Sequence, residues 1–155
     1  MFNEKFMRKA ILLSKNNIEK GGGPFGAVIV KDGKVVATGC NRVTCNNDPT
    51  AHAEVTAIRN ACKKTGNFNL EGCEIYSSCE PCPMCLSAIY WARISKLYYG
   101  NTKKDAAKIG FDDSFIYDEL EKSPAERAIP ASQHLEKEAI IAFENWENKK
   151  DKVEY

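Results

Sequence analysis

Two short fragments of this 155-residue chain carry residue types that can do chemistry together: His52-Ala53-Glu54 and Pro81-Cys82-Pro83-Met84-Cys85. One imidazole and two thiols are the donor set of a soft, tetrahedral metal site, for which zinc is the fitting ion. Cys82 and Cys85 are spaced so that both sulfurs share one face of a helix's first turn, where the positive helix end favours thiolates. Three protein ligands leave a fourth tetrahedral position open to water, as catalytic zinc sites do; structural sites close with a fourth protein ligand. Cys79 is the rival ligand, but its place in Ser78-Cys79-Glu80-Pro81 gives it no need to face the metal. Two thiolates formally cancel the charge of Zn²⁺, so bound water is acidified less than at an all-histidine site, where its pKa falls to about 7. A neighbouring base must assist, and Glu54 can take a proton from water and return it to the substrate and leaving group.

These side chains need a scaffold that brings the two fragments together. Residues i and i+2 of a regular helix point about 200° apart, so His52 and Glu54 converge only if the site lies end-on at a helix tip. Asp48-Pro49-Thr50 supplies a stop and an N-cap, and Val55, Ile58 and Cys62 form an apolar stripe running toward Gly66, a C′ residue. The pattern predicts a helix from about Ala51, capped by Thr50. Upstream, Phe2, Phe6, Ala10 and Leu13 recur at helical spacing and stop at Gly21-Gly22-Gly23-Pro24. Ala27 to Val30 and Val35 to Thr38 flank Asp32-Gly33 and predict a hairpin. Cys73 to Ser77 and Ile94 to Tyr99 read as strands and Cys82 to Trp91 as a helix. Further helical pieces are predicted at Ala106 to Ile109, at Phe115 to Leu120 and along Ala139, Phe143 and Trp146. A hairpin followed by alternating helices and strands requires crossovers, hence parallel strands joined to an antiparallel pair. The fold class is α/β, a mixed sheet between two helical layers.

Composition bounds the function. Hydrophobic residues make up 43% and charged residues 28%, the balance of one globular domain spanning residues 1–155. No apolar run approaches the length of a membrane span. Glu4, Lys5, Arg8 and Lys9 interrupt the N-terminus, which lacks the features of a secretory signal, so a cytoplasmic address is expected. The net charge is +1, and from Tyr117 onward ten acidic residues face six basic ones; both argue against a nucleic-acid partner. Seven cysteines, an odd number, point to metal ligands or buried thiols in place of disulfides. Cys40, Cys45, Cys62 and Cys73 read as small buried hydrophobes, and Trp91 and Trp146 as core or interface residues.

The combination of H-x-E with P-C-x-x-C is that of the zinc deaminases of nucleobases. From about Gly22 to Glu119 the chain resembles the cytidine deaminase-like superfamily and, within it, the bacterial guanine deaminases. The resemblance is carried by Gly23-Pro24-Phe25-Gly26-Ala27, by Asn46-Asn47-Asp48-Pro49-Thr50-Ala51-His52-Ala53-Glu54, by Ser78 to Cys85, by Tyr90-Trp91-Ala92-Arg93 and by Gly110 to Tyr117. Phe111-Asp112-Asp113 and the terminal Glu154-Tyr155 point most narrowly to the guanine deaminases; the other stretches have relatives across purine and tRNA deaminases.

The resemblance implies a three-layer α/β/α cytidine deaminase-like fold and hydrolytic attack of zinc-activated water at C2 of guanine, giving xanthine and ammonia. On that analogy His52, Cys82 and Cys85 bind zinc and Glu54 shuttles protons. Asn41 hydrogen-bonds the purine, Phe25 packs on its ring and Ala53 lines the substrate pocket, while Asp113 accepts from the 2-amino group. A C-terminal segment, about residues 131–155, would be exchanged between the subunits of a homodimer, with Tyr155 capping the partner's site.

Three rivals stand beside this reading. A tRNA adenosine deaminase shares the zinc motifs, a guanosine or other aminated-purine deaminase shares the reaction, and a non-catalytic zinc module shares the ligands alone. Glu54 separates the last, since a structural site has no use for it.

Overall fold

The computed structural model describes all 155 residues, Met1–Tyr155. Asp32 and Gly33 both take positive φ, 49° and 71°, as the two central residues of a type I′ hairpin turn must. They join β1 (Gly26–Lys31) to β2 (Lys34–Cys40) in antiparallel register, Ala27 opposite Gly39 and Val28 opposite Thr38. The other edge of β1 pairs antiparallel with β3 (Glu74–Cys79), which pairs in parallel with β4 (Lys96–Asn101). The sheet order is β2-β1-β3-β4, the mixed arrangement that the element order predicts.

Alternation along the central strands feeds two cores. Val28, Val30 and Tyr76 meet Phe6, Met7 and Ala10 of α1 (Glu4–Glu19) on one face. Ala27, Ile29 and Ile75 meet Ala53, Ala57 and Ala61 of α3 (Ala53–Thr65) and Ile89 of α4 (Pro83–Trp91) on the other. These are the three layers of a cytidine deaminase-like α/β/α fold.

The buried face of α3 differs from the expected stripe. Its fully buried side chains are alanines, while Val55, Ile58 and Cys62 are only partly covered. The reason is close approach: a Cβ at Gly39 of β2 would lie 2.3 Å from both Ala53 O and Ala57 N, so only small residues fit between helix and sheet. Two short helices, α2 (Val43–Asn46) and α5 (Lys103–Lys108), complete this part of the chain; α2 was not predicted.

Contacts divide the chain into two compact units, Met1–Asp113 and Ser114–Tyr155. The second holds α6 (Ser114–Glu121), a 3₁₀ turn (Pro124–Glu126) and α7 (Glu136–Glu147). Glu119 ties its first half together, accepting from Ala128 N at 2.6 Å and from Lys122 Nζ at 2.6 Å. None of its residues is buried. Phe115, Ile141 and Phe143 are 62%, 52% and 74% exposed.

No helix is long and apolar enough to cross a membrane. All seven cysteines are free. Cys73 is buried as expected and Cys45 is exposed, because α2 turns it outward near the carbonyls of Lys20 and Gly21. Trp91 and Trp146 are exposed and belong to neither core.

Candidate active site

The two fragments meet because each ends a loop at the tip of a helix. His52 is the N-cap of α3 and Cys82 the N-cap of α4, both with extended backbone (φ −67°, ψ 160° and φ −65°, ψ 167°). Pro83 follows Cys82 at the first helical position, where its missing N–H is no loss. The expected cap, Thr50, is not used: its hydroxyl donates to Asp48 Oδ1 at 2.7 Å, and its N–H donates to the same oxygen at 2.8 Å. That local turn delays the helix to Ala53. His52 therefore escapes the helical rotation rule, and it can converge with Glu54 although the two are only two residues apart.

His52 Nδ1 lies 3.5 Å from Cys82 Sγ and 3.4 Å from Cys85 Sγ, and the three ligand atoms all fall within 4.8 Å of one another. With Zn–S of about 2.3 Å and Zn–N of about 2.0 Å, tetrahedral neighbours sit about 3.6 Å apart, so the donor set fits zinc in identity and spacing. Cys79 is not part of it; its thiol is buried and donates to Thr102 O at 3.7 Å.

The electrostatics describe a site that needs a cation. The Cys85 thiol, hydrogen-bonded to Cys82, and then His52 hold the Cys82 thiol down at about 4. Cys85, beside that thiolate and buried, is pushed far up. His52 is raised, chiefly by its bond to Cys82. A divalent ion removes the conflict by supplying positive charge to both sulfurs, and the N-termini of α3 and α4 add their favourable dipole ends.

Glu54 is 5% exposed, and burial raises its carboxyl above the usual range against the opposing pull of the Ser77 hydroxyl, which donates to Oε1 at 2.7 Å. A carboxyl shifted toward neutrality is suited to exchanging protons near neutral pH.

The remaining predicted residues fall as follows. Asn41, just beyond β2, is buried; its N–H donates to Phe25 O at 3.1 Å and its Oδ1 accepts from Val43 N at 3.3 Å, leaving Nδ2 without a protein acceptor. Phe25 is half-buried and meets Phe111 edge-on, ring centroids 5.0 Å apart at 88°, which joins two of the stretches that carry the resemblance. Asp113 is partly buried, and desolvation followed by the charge of Cys82 raises its carboxyl. Ala53 is fully buried among the residues of the α3 core. Tyr155 ends the second unit and is 69% exposed.

Sequence reasoning missed Ser77 and Asn17. A serine among the buried residues of β3 is the signal for the first. The second, 1% exposed on the apolar face of α1, is an asparagine where periodicity asks for a hydrophobe.

Residues 1–101 match the family described as the cytidine and deoxycytidylate deaminase zinc-binding region. Guanine deaminase of Bacillus subtilis (strain 168) is 54% identical over 156 residues, covering 100% of both chains; a crystal structure of the Bacillus subtilis enzyme superposes with a TM-score of 0.96 over 100% of this chain and 99% of that one. The tRNA-specific adenosine deaminase of Aquifex aeolicus (strain VF5) is 42% identical over 67% of this chain and 69% of its own. A guanine deaminase structure from Nitrosomonas europaea gives a TM-score of 0.70 at 33% identity, over 72% of this chain and 65% of that one. Ligand geometry, sheet topology and these likenesses agree: the chain belongs to the cytidine and deoxycytidylate deaminase zinc-binding family.

Proposed function

We propose that this chain is a guanine deaminase, converting guanine and water to xanthine and ammonia. The observation that carries the reading is the combination of extent and identity. The Bacillus guanine deaminase is 54% identical from end to end, whereas the tRNA-specific adenosine deaminases of Aquifex aeolicus and Haemophilus influenzae are 42% identical over 67% of the chain and 37% identical over 86% of it. The portion shared with the Bacillus enzyme beyond the zinc motifs includes Phe111-Asp112-Asp113 and the C-terminal unit.

A zinc ion held by His52, Cys82 and Cys85 supplies the Lewis acidity that makes water nucleophilic at neutral pH. The rest of the work belongs to the chain. Ser77 holds Glu54 Oε1. The carboxylate takes one proton from the attacking water and passes it to the purine ring nitrogen, then takes the second from the new C2 hydroxyl and passes it to the departing amine, leaving the C2 carbonyl of xanthine. The new bond joins the water oxygen to C2, and the bond that breaks joins C2 to the amine. Asn41 Nδ2 donates to a purine acceptor, the Phe25–Phe111 pair packs on the ring, and Asp113 accepts from the 2-amino group. Ala53, at the first position of α3, lines the pocket floor. The C-terminal segment of one subunit closes the site of the other and brings Tyr155 over it; the unburied apolar side chains of Ser114–Tyr155 support this exchange. Seven free cysteines suit a reducing, cytoplasmic setting.

The test is turnover of guanine, guanosine, adenine, cytosine and cytidine by zinc-loaded protein, followed by ammonia release. Guanine alone should react, and Glu54→Gln should lower kcat by about 10²- to 10⁴-fold with zinc retained. Inosine formation in tRNA without guanine turnover would overturn the assignment.

A further inference from the structure

Asn17 lies near the end of α1, and its side chain reaches into the part of the molecule that holds Phe25 and Asn41. Its Nδ2 donates to Gly23 O and to Asn41 O, both at 2.8 Å. Its own carbonyl accepts from Lys20 N at 3.1 Å and Gly22 N at 3.0 Å. Phe25 N donates to Gly23 O at 2.8 Å and Asn41 N to Phe25 O at 3.1 Å. The bonds close a ring: Asn17 to Gly23, Gly23 to Phe25, Phe25 to Asn41, Asn41 back to Asn17. Both amide hydrogens of Asn17 are consumed by main-chain oxygens, the bond to Asn41 O buried and the bond to Gly23 O partly so. No other neutral side chain of this size supplies two donors from one nitrogen.

The ring is tight. A Cβ at Gly22 would stand 2.2 Å from Asn17 Nδ2 and 2.5 Å from Asn41 O, so residue 22 must be glycine for the amide to reach both carbonyls. Phe25 and Asn41 flank different strands, β1 and β2; Thr44 Oγ1 holds the start of the intervening loop at Gly21 O, 2.8 Å, and the Asn17 side chain holds its Gly23 end, 2.8 Å. Asn17 anchors that loop from the opposite layer.

We infer that Asn17 is a positioning residue for purine recognition: it touches no substrate, and it sets Phe25 and Asn41 at the separation the ring requires. This rests on the reading of Phe25 and Asn41 as purine contacts. A buried asparagine serving stability alone would act on folding and leave substrate affinity untouched. One serving the site acts on affinity, since small misplacements of binding groups are costly.

The experiment uses the zinc-loaded full chain and two readouts: KM and kcat for guanine, and equilibrium binding of hypoxanthine, which has no 2-amino group to lose. Asn17→Asp keeps the shape and removes the donors. It should raise KM and the hypoxanthine Kd about tenfold while kcat changes less than about threefold and zinc content stays the same. Phe6→Leu, in the core on the far face of the sheet, is the stability control; at a matched loss of Tm it should leave both constants within about twofold. Should Asn17→Asp not fold, Gly22→Ala pushes the same amide out of place and is read the same way. Wild-type KM and Kd in a folded Asn17→Asp or Gly22→Ala protein would overturn the inference. Asn41→Ala separates the two levels: if hypoxanthine binds it as tightly as wild type, the substrate reading of Asn41 fails and the inference falls with it. If Asn41→Ala weakens binding and Asn17→Asp does not, only the inference falls.

Discussion

Glu54 needs help to be useful. A lone buried carboxyl rotates among poses, and the Ser77 hydroxyl on Oε1, together with the Cys85 thiol bonded to the same carboxylate, restricts that freedom for the proton transfers of the proposed mechanism. Ser77→Ala should therefore lower kcat about tenfold with little change in KM, because the lost contact acts on the proton-transfer step; Ser77→Thr keeps the hydroxyl and should restore it. Steady-state kinetics on both variants, with zinc content measured beside them, check this. In the proposed mechanism Asp113 plays a different part. Its raised carboxyl marks a group taken partly out of water beside the Cys82 charge, and a neutral amide there accepts the purine amine far less strongly than a carboxylate. Asp113→Asn should lower kcat/KM for guanine by about 10²-fold while hypoxanthine, which has no amine to present, binds almost as before.

At the scale of elements, the site depends on how closely α3 is seated on the sheet, since its N-terminus carries His52 and Glu54. Gly39→Ala places a methyl 2.3 Å from the backbone of that helix and should cost about 1–3 kcal/mol, the range for overpacking. The displaced helix tip should also weaken zinc retention, which chelator competition measures. On the other face, Tyr76 is fully buried, its hydroxyl accepting from Asn3 N at 3.2 Å and donating to Glu74 Oε2 at 3.1 Å. Burial, and then the bond to Glu74, push its phenol up to about 12. The sign follows from linkage. The neutral phenol is held by the folded state, so its contribution is complete below the ordinary tyrosine pKa near 10 and is lost as pH rises toward 12. Denaturant midpoints recorded from pH 8 to 12 for wild type and Tyr76→Phe should diverge in slope only above about pH 10, with the variant falling less steeply there; any decline below that belongs to the cysteine thiols that burial also raises.

For the whole molecule, the decisive feature is a unit of Ser114–Tyr155 that buries none of its own side chains. A stretch with Phe115, Ile140, Ile141, Phe143 and Trp146 exposed is not stable as an isolated coat of helices. Exchange between subunits predicts complementation. Glu54→Gln chains have an intact C-terminus, and chains cut before Tyr155 have an intact Glu54. Mixed and reassembled, they should recover activity that neither has alone, because one hybrid site draws both intact parts. Sedimentation should give a dimer, and Phe143→Glu with Trp146→Glu should shift it toward monomer.

Much of the site was legible in the sequence because zinc chemistry is local: His52, Glu54, Cys82 and Cys85 are specified by residue type and short spacing, and a metal with three fixed ligands tolerates few other readings. The hairpin was legible for the same reason, since Asp32-Gly33 states its own turn. Fold class followed from element order, and the likeness to the Bacillus enzyme over the full chain bears out the family. Tertiary structure alone decided the rest. Which residue caps α3 depended on whether Thr50 turned to Asp48 or to the helix, a competition between two near-equal hydrogen bonds. Ser77 and Asn17 took on roles because residues far apart in sequence became neighbours, and periodicity carries no information about such partners. The C-terminal unit has the composition of an ordinary amphipathic helix pair; that none of its residues is buried is visible only in the tertiary structure, because a periodic apolar stripe does not say whether anything covers it.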